Sequence, residues 1–381
     1  MLGTFSYGAL RSSERENRHY QHAPNDRKFF SDYGPKMAPR VLLVGNFLSA
    51  SGRAKPVCEE LATRLSSNGW KILTVSDRVA RLPRLVDMLA MAWRARRRYD
   101  IAHVDVYSGP SFVWAEAVCE VLRAGRKPFV LTLHGGNLPA FASRWPRRVA
   151  RLLRSANAVT APSAFLAEHF RAVRSDIALI PNALDLSLYH FRVRDKPAPN
   201  LVWLRSFHFM YNPVLVPTVV AQLKRAHPSV RIMMIGPDKG DGSLEATRDA
   251  ATRLDVTDRV AIVGGVPKAE VPNWLDRADI FLNTTNVDNA PVSILEAMAS
   301  GLPLVSTSVG GIPFLVRDAV DGLLVDPNDA NAMATAVERV LTEPALAASL
   351  SREAHSSACA FDWPAILERW KDLLVSTAGP A

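Results

Sequence analysis

From Met37 onward, short β-rich apolar runs alternate with stretches whose apolar residues recur at helical spacing. Six candidate strands lie in the first half, at Arg40–Gly45, Lys71–Val75, Ile101–Val104, Pro128–Leu133, Ala158–Ala161 and Ile177–Ile180. Six more follow at Asn200–Leu204, Arg231–Ile235, Arg259–Val263, Asp279–Asn283, Leu304–Thr307 and Gly322–Val325. With helical segments between most of them, they predict two doubly wound parallel sheets, an α/β architecture. Uninterrupted runs such as VLLVG and IMMIG suit strands covered on both faces. The alternation breaks at HFRVRDKPAPN, where two prolines and mixed charge mark a boundary. The expected layout is a Rossmann-like domain over 37–190, a second over 191–360, and a closing helix and tail over 361–381. That last helix carries Ile366, Trp370, Leu373 and Leu374 on one face. Residues 1–36 are polar and aperiodic, and read as a disordered leader or as sequence upstream of a true start at Met37.

The densest chemistry lies in DIFLNTTNVDNAPVSILEAMASGLPLVSTSVGGIP, residues 279–313. A strand ends at Asn283 and a polar loop follows. A helix starts near Pro291, whose missing N–H costs nothing in a first turn, and stops at Gly301 with Pro303 beyond. The tip of that helix offers unpaired N–H groups and a positive dipole end, a ready seat for phosphate. Asp288 precedes it as a natural cap. Glu296 stands inside an otherwise apolar helix, where a carboxylate either bonds a structural partner or accepts hydrogen bonds from ligand hydroxyls.

An acid, seven residues, Glu, then Ala-Met-Ala, Gly-Leu-Pro, a strand and Val-Gly-Gly-Ile-Pro resembles the signature of retaining GT-B glycosyltransferases of the group 1, family 4 type. The resemblance implies a nucleotide-sugar donor held by the C-terminal domain and an acceptor on the side of the N-terminal one. By position, Glu296 holds the ribose hydroxyls, Asp288 meets the donor sugar, and Asn289, Ala290, Pro291 and Val292 cradle the diphosphate. His134 in TLHGGN matches the histidine that reaches the donor sugar, LIPNALD closes the N-terminal domain, and Arg205 in WLRSFHFMYNP matches the arginine that neutralises the diphosphate. Three departures stand out. Asp288 and Asn289 replace the usual Glu-Gly, Tyr211 and Asn212 stand where a diphosphate lysine belongs, and Phe314 replaces a glutamate after Gly-Gly-Ile-Pro. Arg205, the helix tip and Lys239 in GPDKGDG are left to stabilise the leaving group. The loop GNFLSASG lacks both GxGxxG and a Walker lysine; its Gly52 would allow close approach to donor phosphates.

No Asp-x-Asp pair occurs anywhere, so the expected transfer uses no metal and no cofactor, with an arginine and a helix tip opposing the diphosphate charge. UDP-sugar is the favoured donor, the acceptor is a glycan or lipid-linked hydroxyl, and retention is implied by the resemblance. Two other readings stay open: a GT-B-fold nucleotide-sugar isomerase, and a non-catalytic sugar-nucleotide-binding partner.

Charge adds one further element. Residues 1–190 carry 28 Lys+Arg against 15 Asp+Glu, whereas residues 191–381 carry 18 against 22, so the net +9 is concentrated in the first half. Two basic features lie there. Residues 84–98 set Leu85, Met88, Leu89, Ala92 and Trp93 on one helical face with Arg94, Arg97 and Arg98 largely opposite, and Arg144, Arg147, Arg148 and Arg151 follow i, i+3, i+4, i+7. They point to an anionic membrane surface, in a cell-envelope or extracellular polysaccharide or glycolipid pathway. No nucleic-acid module is visible. No apolar run reaches the ~18–20 residues of a membrane-spanning helix. The three separated cysteines form no disulfide framework, which points to a cytoplasmic enzyme, peripheral on the inner face of the membrane.

Overall fold

The computed structural model describes residues 38–48 and 57–379. The leader 1–36 and Gly52 lie outside the described residues. The first half runs β1 (Val41–Val44), α1 (Val57–Ser67), β2 (Ile72–Val75), α2 (Arg81–Arg94), β3 (Ile101–Val106), α3 (Pro110–Ala124), β4 (Phe129–Leu133), α4 (Leu138–Arg144), α5 (Pro146–Ser155), β5 (Ala158–Ala161), α6 (Ala164–His169) and β6 (Ala178–Leu179). Its strands form one parallel sheet in the order β2-β1-β3-β4-β5-β6. The second half runs β7 (Asn200–Leu204), α7 (Leu215–Leu223), β8 (Arg231–Ile235), α8 (Ser243–Arg253), β9 (Val260–Gly264), α9 (Val271–Asp276), β10 (Ile280–Asn283), α10 (Val292–Ala299), β11 (Leu304–Thr307), α11 (Ile312–Leu315), β12 (Leu323–Val325), α12 (Ala330–Thr342), α13 (Pro344–Ala358) and α14 (Trp363–Ala378). Its sheet is again parallel, in the order β12-β11-β10-β7-β8-β9. Every one of the twelve expected strands forms, and the two doubly wound sheets are those read from the alternation.

Each sheet has an apolar core on both faces, which explains the uninterrupted strand sequences. On one face of the first sheet, Leu42, Val104 and Leu131 meet Met88 and Ala92 of α2, Phe112 of α3 and Leu152 of α5. On its other face, Val41, Leu43 and Val130 meet Leu61 and Leu65 of α1 together with Trp363, Ile366, Trp370 and Leu374 of α14. The closing helix therefore belongs to the core of the first sheet, although the sequence places it at the end of the second half.

Two helical readings need correction. Trp93 does not join the buried face of α2: Met88 and Ala92 do, while Trp93 is 45% exposed beneath the Arg96 guanidinium. The arginine stripe is also interrupted, because Trp145 and Pro146 end α4 and start α5. Arg144 sits on the first of these helices, and Arg148 is tied to Glu116 of α3, leaving Arg147 and Arg151 exposed.

Residues 180–199 cross from one sheet to the other, and they are anchored. Arg194, fully buried, donates to the carbonyls of Arg192, at 2.8 Å, and Ser300, covering the C-terminal end of α10. Burial lowers its pKa to about 10. Gly301, at φ +68°, lets Phe191 and the Arg192 carbonyl pass; a Cβ there would lie 2.7 Å from the Phe191 ring.

Candidate functional site

The loop after β10 and the start of α10 form the centre of the candidate site. Val292 is the first helical residue, and Pro291 sits at the cap with extended φ/ψ of −70°/117°. Asp288 is not the cap: its Oδ1 accepts from the Asn289 N–H at 2.9 Å, and its carboxylate pairs with Arg205. Arg205 stands just beyond β7. Its guanidinium lies 4.1 Å from the centroid of the Tyr211 ring, and its Nη1 donates to Ser293 Oγ at 3.5 Å, in the first turn of α10. Tyr211, found where a lysine was expected, thus serves as a cation–π platform for the neighbouring arginine. Burial lowers the Arg205 pKa.

Glycines hold this loop in place. A Cβ on Gly310 would lie 2.0 Å from the Asp288 carbonyl oxygen, and one on Gly311 1.8 Å from that of Asn289. The Gly311 N–H donates to the Asp288 carbonyl at 3.1 Å. The Val-Gly-Gly-Ile-Pro motif is therefore a clamp on residues 288–289. Gly236, at the end of β8, fits against the backbone of Arg205 in the same way, with 1.8 Å between its would-be Cβ and the Arg205 carbonyl.

Glu296 lies one turn further along α10 and is buried. Its Oε1 accepts from Tyr189 Oη and from Lys268 Nζ, each at 2.6 Å. The Tyr189 hydroxyl has its pKa raised by burial and by this carboxylate. Both candidate donor acids are thus paired with cations of the chain itself: Asp288 with Arg205, Glu296 with Lys268. Lys239 is exposed, with its backbone N–H bonded to the Phe207 carbonyl at 3.1 Å, and makes neither of these pairs.

The first half meets this loop along one seam. Gly136 packs on Asp288, its would-be Cβ 2.9 Å from the carbonyl. Ser163 Oγ bonds to Asn289 Oδ1, and Asn182 Nδ2 donates to the Ala290 carbonyl at 2.8 Å. Phe314 packs on Phe165 of α6 with 6.3 Å between ring centroids, so the residue replacing a glutamate supplies an apolar contact across the seam.

His134 follows β4 directly. Its Nε2 is 3.0 Å from Asp105 Oδ1, and its ring stacks on Tyr107 at 5.0 Å and 17°. Burial alone would raise the Asp105 pKa; His134, with His103 and Cys58, outweighs it and holds the carboxyl low. With Nε2 committed to the Asp105 carboxylate, Nδ1 is the ring nitrogen left for another partner. Below it, His103 Nε2 bonds to Thr132 Oγ1 at 2.6 Å, and burial holds that imidazole down at about 4.

Asp105, Tyr189 and Lys268 were not singled out from the sequence. Asp105 had a detectable mark, since His103 and Asp105 alternate as polar residues in an otherwise apolar buried strand. Tyr189 and Lys268 had none; they reach Glu296 from 107 and 28 residues away.

Two parallel six-stranded sheets meeting at one seam make the GT-B fold of glycosyltransferases. The sequence agrees: residues 50–188 match the model of Glycosyltransferase Family 4, and residues 192–357 match that of Glycosyl transferases group 1. The D-inositol 3-phosphate glycosyltransferase of Segniliparus rotundus is 27% identical over 212 residues, which cover 52% of this chain and 47% of that protein. The chain thus spans about half the length of that relative. The protein of the same name from Streptomyces avermitilis is 25% identical over 339 residues, covering 80% of this chain and 71% of that one. Among solved structures, Anabaena Alr3699/HepE in complex with UDP-glucose superposes with a TM-score of 0.70 at 18% identity, over 89% of this chain and 100% of that one.

Proposed function

We propose that this chain is a retaining glycosyltransferase that moves a sugar from a nucleotide donor, a UDP-sugar by preference, to an acceptor hydroxyl at the seam between the two halves. The observation that carries the reading is the pair of carboxylates on one loop and helix, Asp288 and Glu296, each paired with a cation for which a diphosphate can compete. Arg205 and the tip of α10 oppose the charge of the leaving diphosphate, so the transfer needs no metal. His134, oriented by Asp105, faces the donor sugar. Of the four residues expected to cradle the phosphates, Ala290 and Val292 supply the backbone N–H groups, since Pro291 has none and that of Asn289 is bonded to Asp288. Support for the donor comes from the UDP-glucose complex of the Anabaena protein.

Titration of UDP and UDP-glucose by calorimetry in EDTA tests this reading. The expected result is binding that falls at least tenfold in Glu296→Ala and in Arg205→Ala. Equal affinity in Glu296→Ala, or binding lost on adding EDTA, overturns it.

The reading extends to a glycan or lipid-linked acceptor of the cell envelope and to a cytoplasmic protein resting on an anionic membrane. Support lies on α2. Leu82, Val86 and Trp93 follow i, i+4, i+11 and are 76%, 65% and 45% exposed, and the segment 78–98 holds seven arginines against one aspartate. An apolar stripe flanked by cations suits a surface of acidic headgroups. Among the described residues no helix is long and apolar enough to cross a membrane. Cosedimentation with phosphatidylglycerol vesicles should retain the parent chain and lose the variant with all three stripe residues changed to Gln; equal retention of both removes this element.

A further inference from the structure

The chain has Tyr211 where a lysine is expected beside Arg205, yet it carries a lysine against the next turn of α10. Lys268 lies in the loop between β9 and α9, half-exposed, with Nζ 2.6 Å from Glu296 Oε1. That oxygen also accepts from Tyr189 at 2.6 Å. Arg205 reaches α10 at Ser293, and Lys268 reaches it at Glu296. Residues i and i+3 share one helix face and are separated by about 4.5 Å of rise. The two cations therefore flank a single face of α10 one turn apart, and among the described residues they are the two that pair with the candidate donor acids.

Without a donor these four groups sum to zero charge: two cations and two carboxylates. A diphosphate adds about two negative charges to the set. If Glu296 turns Oε1 to ribose hydroxyls, Lys268 exchanges its ion pair for water, and an anion arriving beside it is a stronger acceptor for the freed ammonium than solvent is. The diphosphate is the acceptor that arrives in the same event.

We propose that Lys268 is the second diphosphate cation of this enzyme, stored on Glu296 while the site is empty and transferred to the phosphates when the ribose takes its place. The proposal rests on the assignment of Glu296 to the ribose, and it makes Lys268 a donor-specificity residue in place of the missing lysine at Tyr211. It also separates the charged from the uncharged part of the nucleotide. Lys268 opposes ribose binding by occupying Glu296 and favours phosphate binding by pairing with it.

Calorimetric titration of uridine, UMP and UDP into the full chain tests this. In Lys268→Met, UDP affinity should fall at least tenfold while uridine affinity stays equal or rises, and Lys268→Arg should keep most of the UDP affinity. Adding Tyr211→Lys to Lys268→Met should recover part of the lost UDP binding, the new lysine next to Arg205 outweighing the lost ring face. Unchanged or tighter UDP binding in Lys268→Met overturns the proposal, since Lys268 would then only block Glu296. A parallel loss of UDP and uridine affinity with a lowered melting temperature also overturns it, as a purely structural pair. Failure of the ribose assignment reads differently: Glu296→Ala would bind UDP as the parent does, whatever Lys268 does.

Discussion

Gly311→Ala puts the least possible mass at the point where the candidate donor loop is clamped. Gly311 has φ −85°, which alanine adopts freely, so the substitution adds no backbone strain of its own. Its Cβ would lie 1.8 Å from the Asn289 carbonyl oxygen, a contact that must open to at least 3.0 Å, so the loop has to retreat by about 1.2 Å. Neighbouring backbone, and no flexible side chain, is in the way. Overpacking of this kind costs about 1–3 kcal/mol of stability. A shift on the order of 1 Å in a positioning element costs up to about a hundredfold in turnover. The same retreat pulls Asn289 from Ser163 and Asp288 from Arg205. The assay is UDP titration with thermal melting in parallel, using Gly265→Ala as control, where the nearest atom is an ordinary 3.4 Å away. The expected outcome is a melting temperature lowered by several degrees and UDP affinity at least tenfold weaker, with Gly265→Ala unchanged. A Gly311→Ala protein that binds and melts like its parent refutes the clamp.

Four further outcomes are expected. Tyr211→Ala removes the aromatic face under Arg205, worth about 1 kcal/mol, and should weaken UDP binding roughly fivefold with little change in melting temperature. Trp370→Ala opens the core between α14 and the first sheet and should cost about 3–5 kcal/mol in urea unfolding. His103 has its pKa held at about 4 in the fold against about 6.5 unfolded, so the unfolded chain binds the extra proton between those values. Stability is then complete above pH 6.5 and falls by about 3 kcal/mol as the pH drops toward 4; urea midpoints of His103→Gln against the parent should show a shallower decline. Cys58 and Cys119 are buried and burial pushes both thiols up, whereas Cys359 is exposed, so a thiol reagent at pH 8 should count one fast-reacting group in the native protein and three in urea.

How much of this was legible in the sequence depends on the range of the interaction concerned. Strands such as Val41–Val44 and Arg231–Ile235 announce themselves because a sheet buried on both faces demands consecutive apolar residues. Glu296 stands out because a carboxylate in a buried helix must have a reason. Local periodicity failed where one helix has two apolar faces: on α2 the buried pair Met88 and Ala92 and the outward Leu82, Val86 and Trp93 merge into one broad stripe. It failed again at Arg144, where Pro146 starts a new helix inside an unbroken i, i+3, i+4 spacing. The partners of Glu296 were out of reach for a different reason. Lys268 and Tyr189 arrive through loop geometry, and nothing in their own neighbours tells them apart from solvent-facing residues.

The chain passes between the two halves a second time near Asp362, and the two passages lie side by side. The Leu184 N–H donates to the Phe361 carbonyl at 2.8 Å, and the Trp363 N–H donates to that of Leu184 at 3.0 Å. The two passages thus form one hydrogen-bonded ribbon joining the halves. Arg194 fastens the first passage to the far end of α10. The candidate donor helix and the ribbon that joins the halves are thereby tied into one unit, so a strain placed on either is carried to the other.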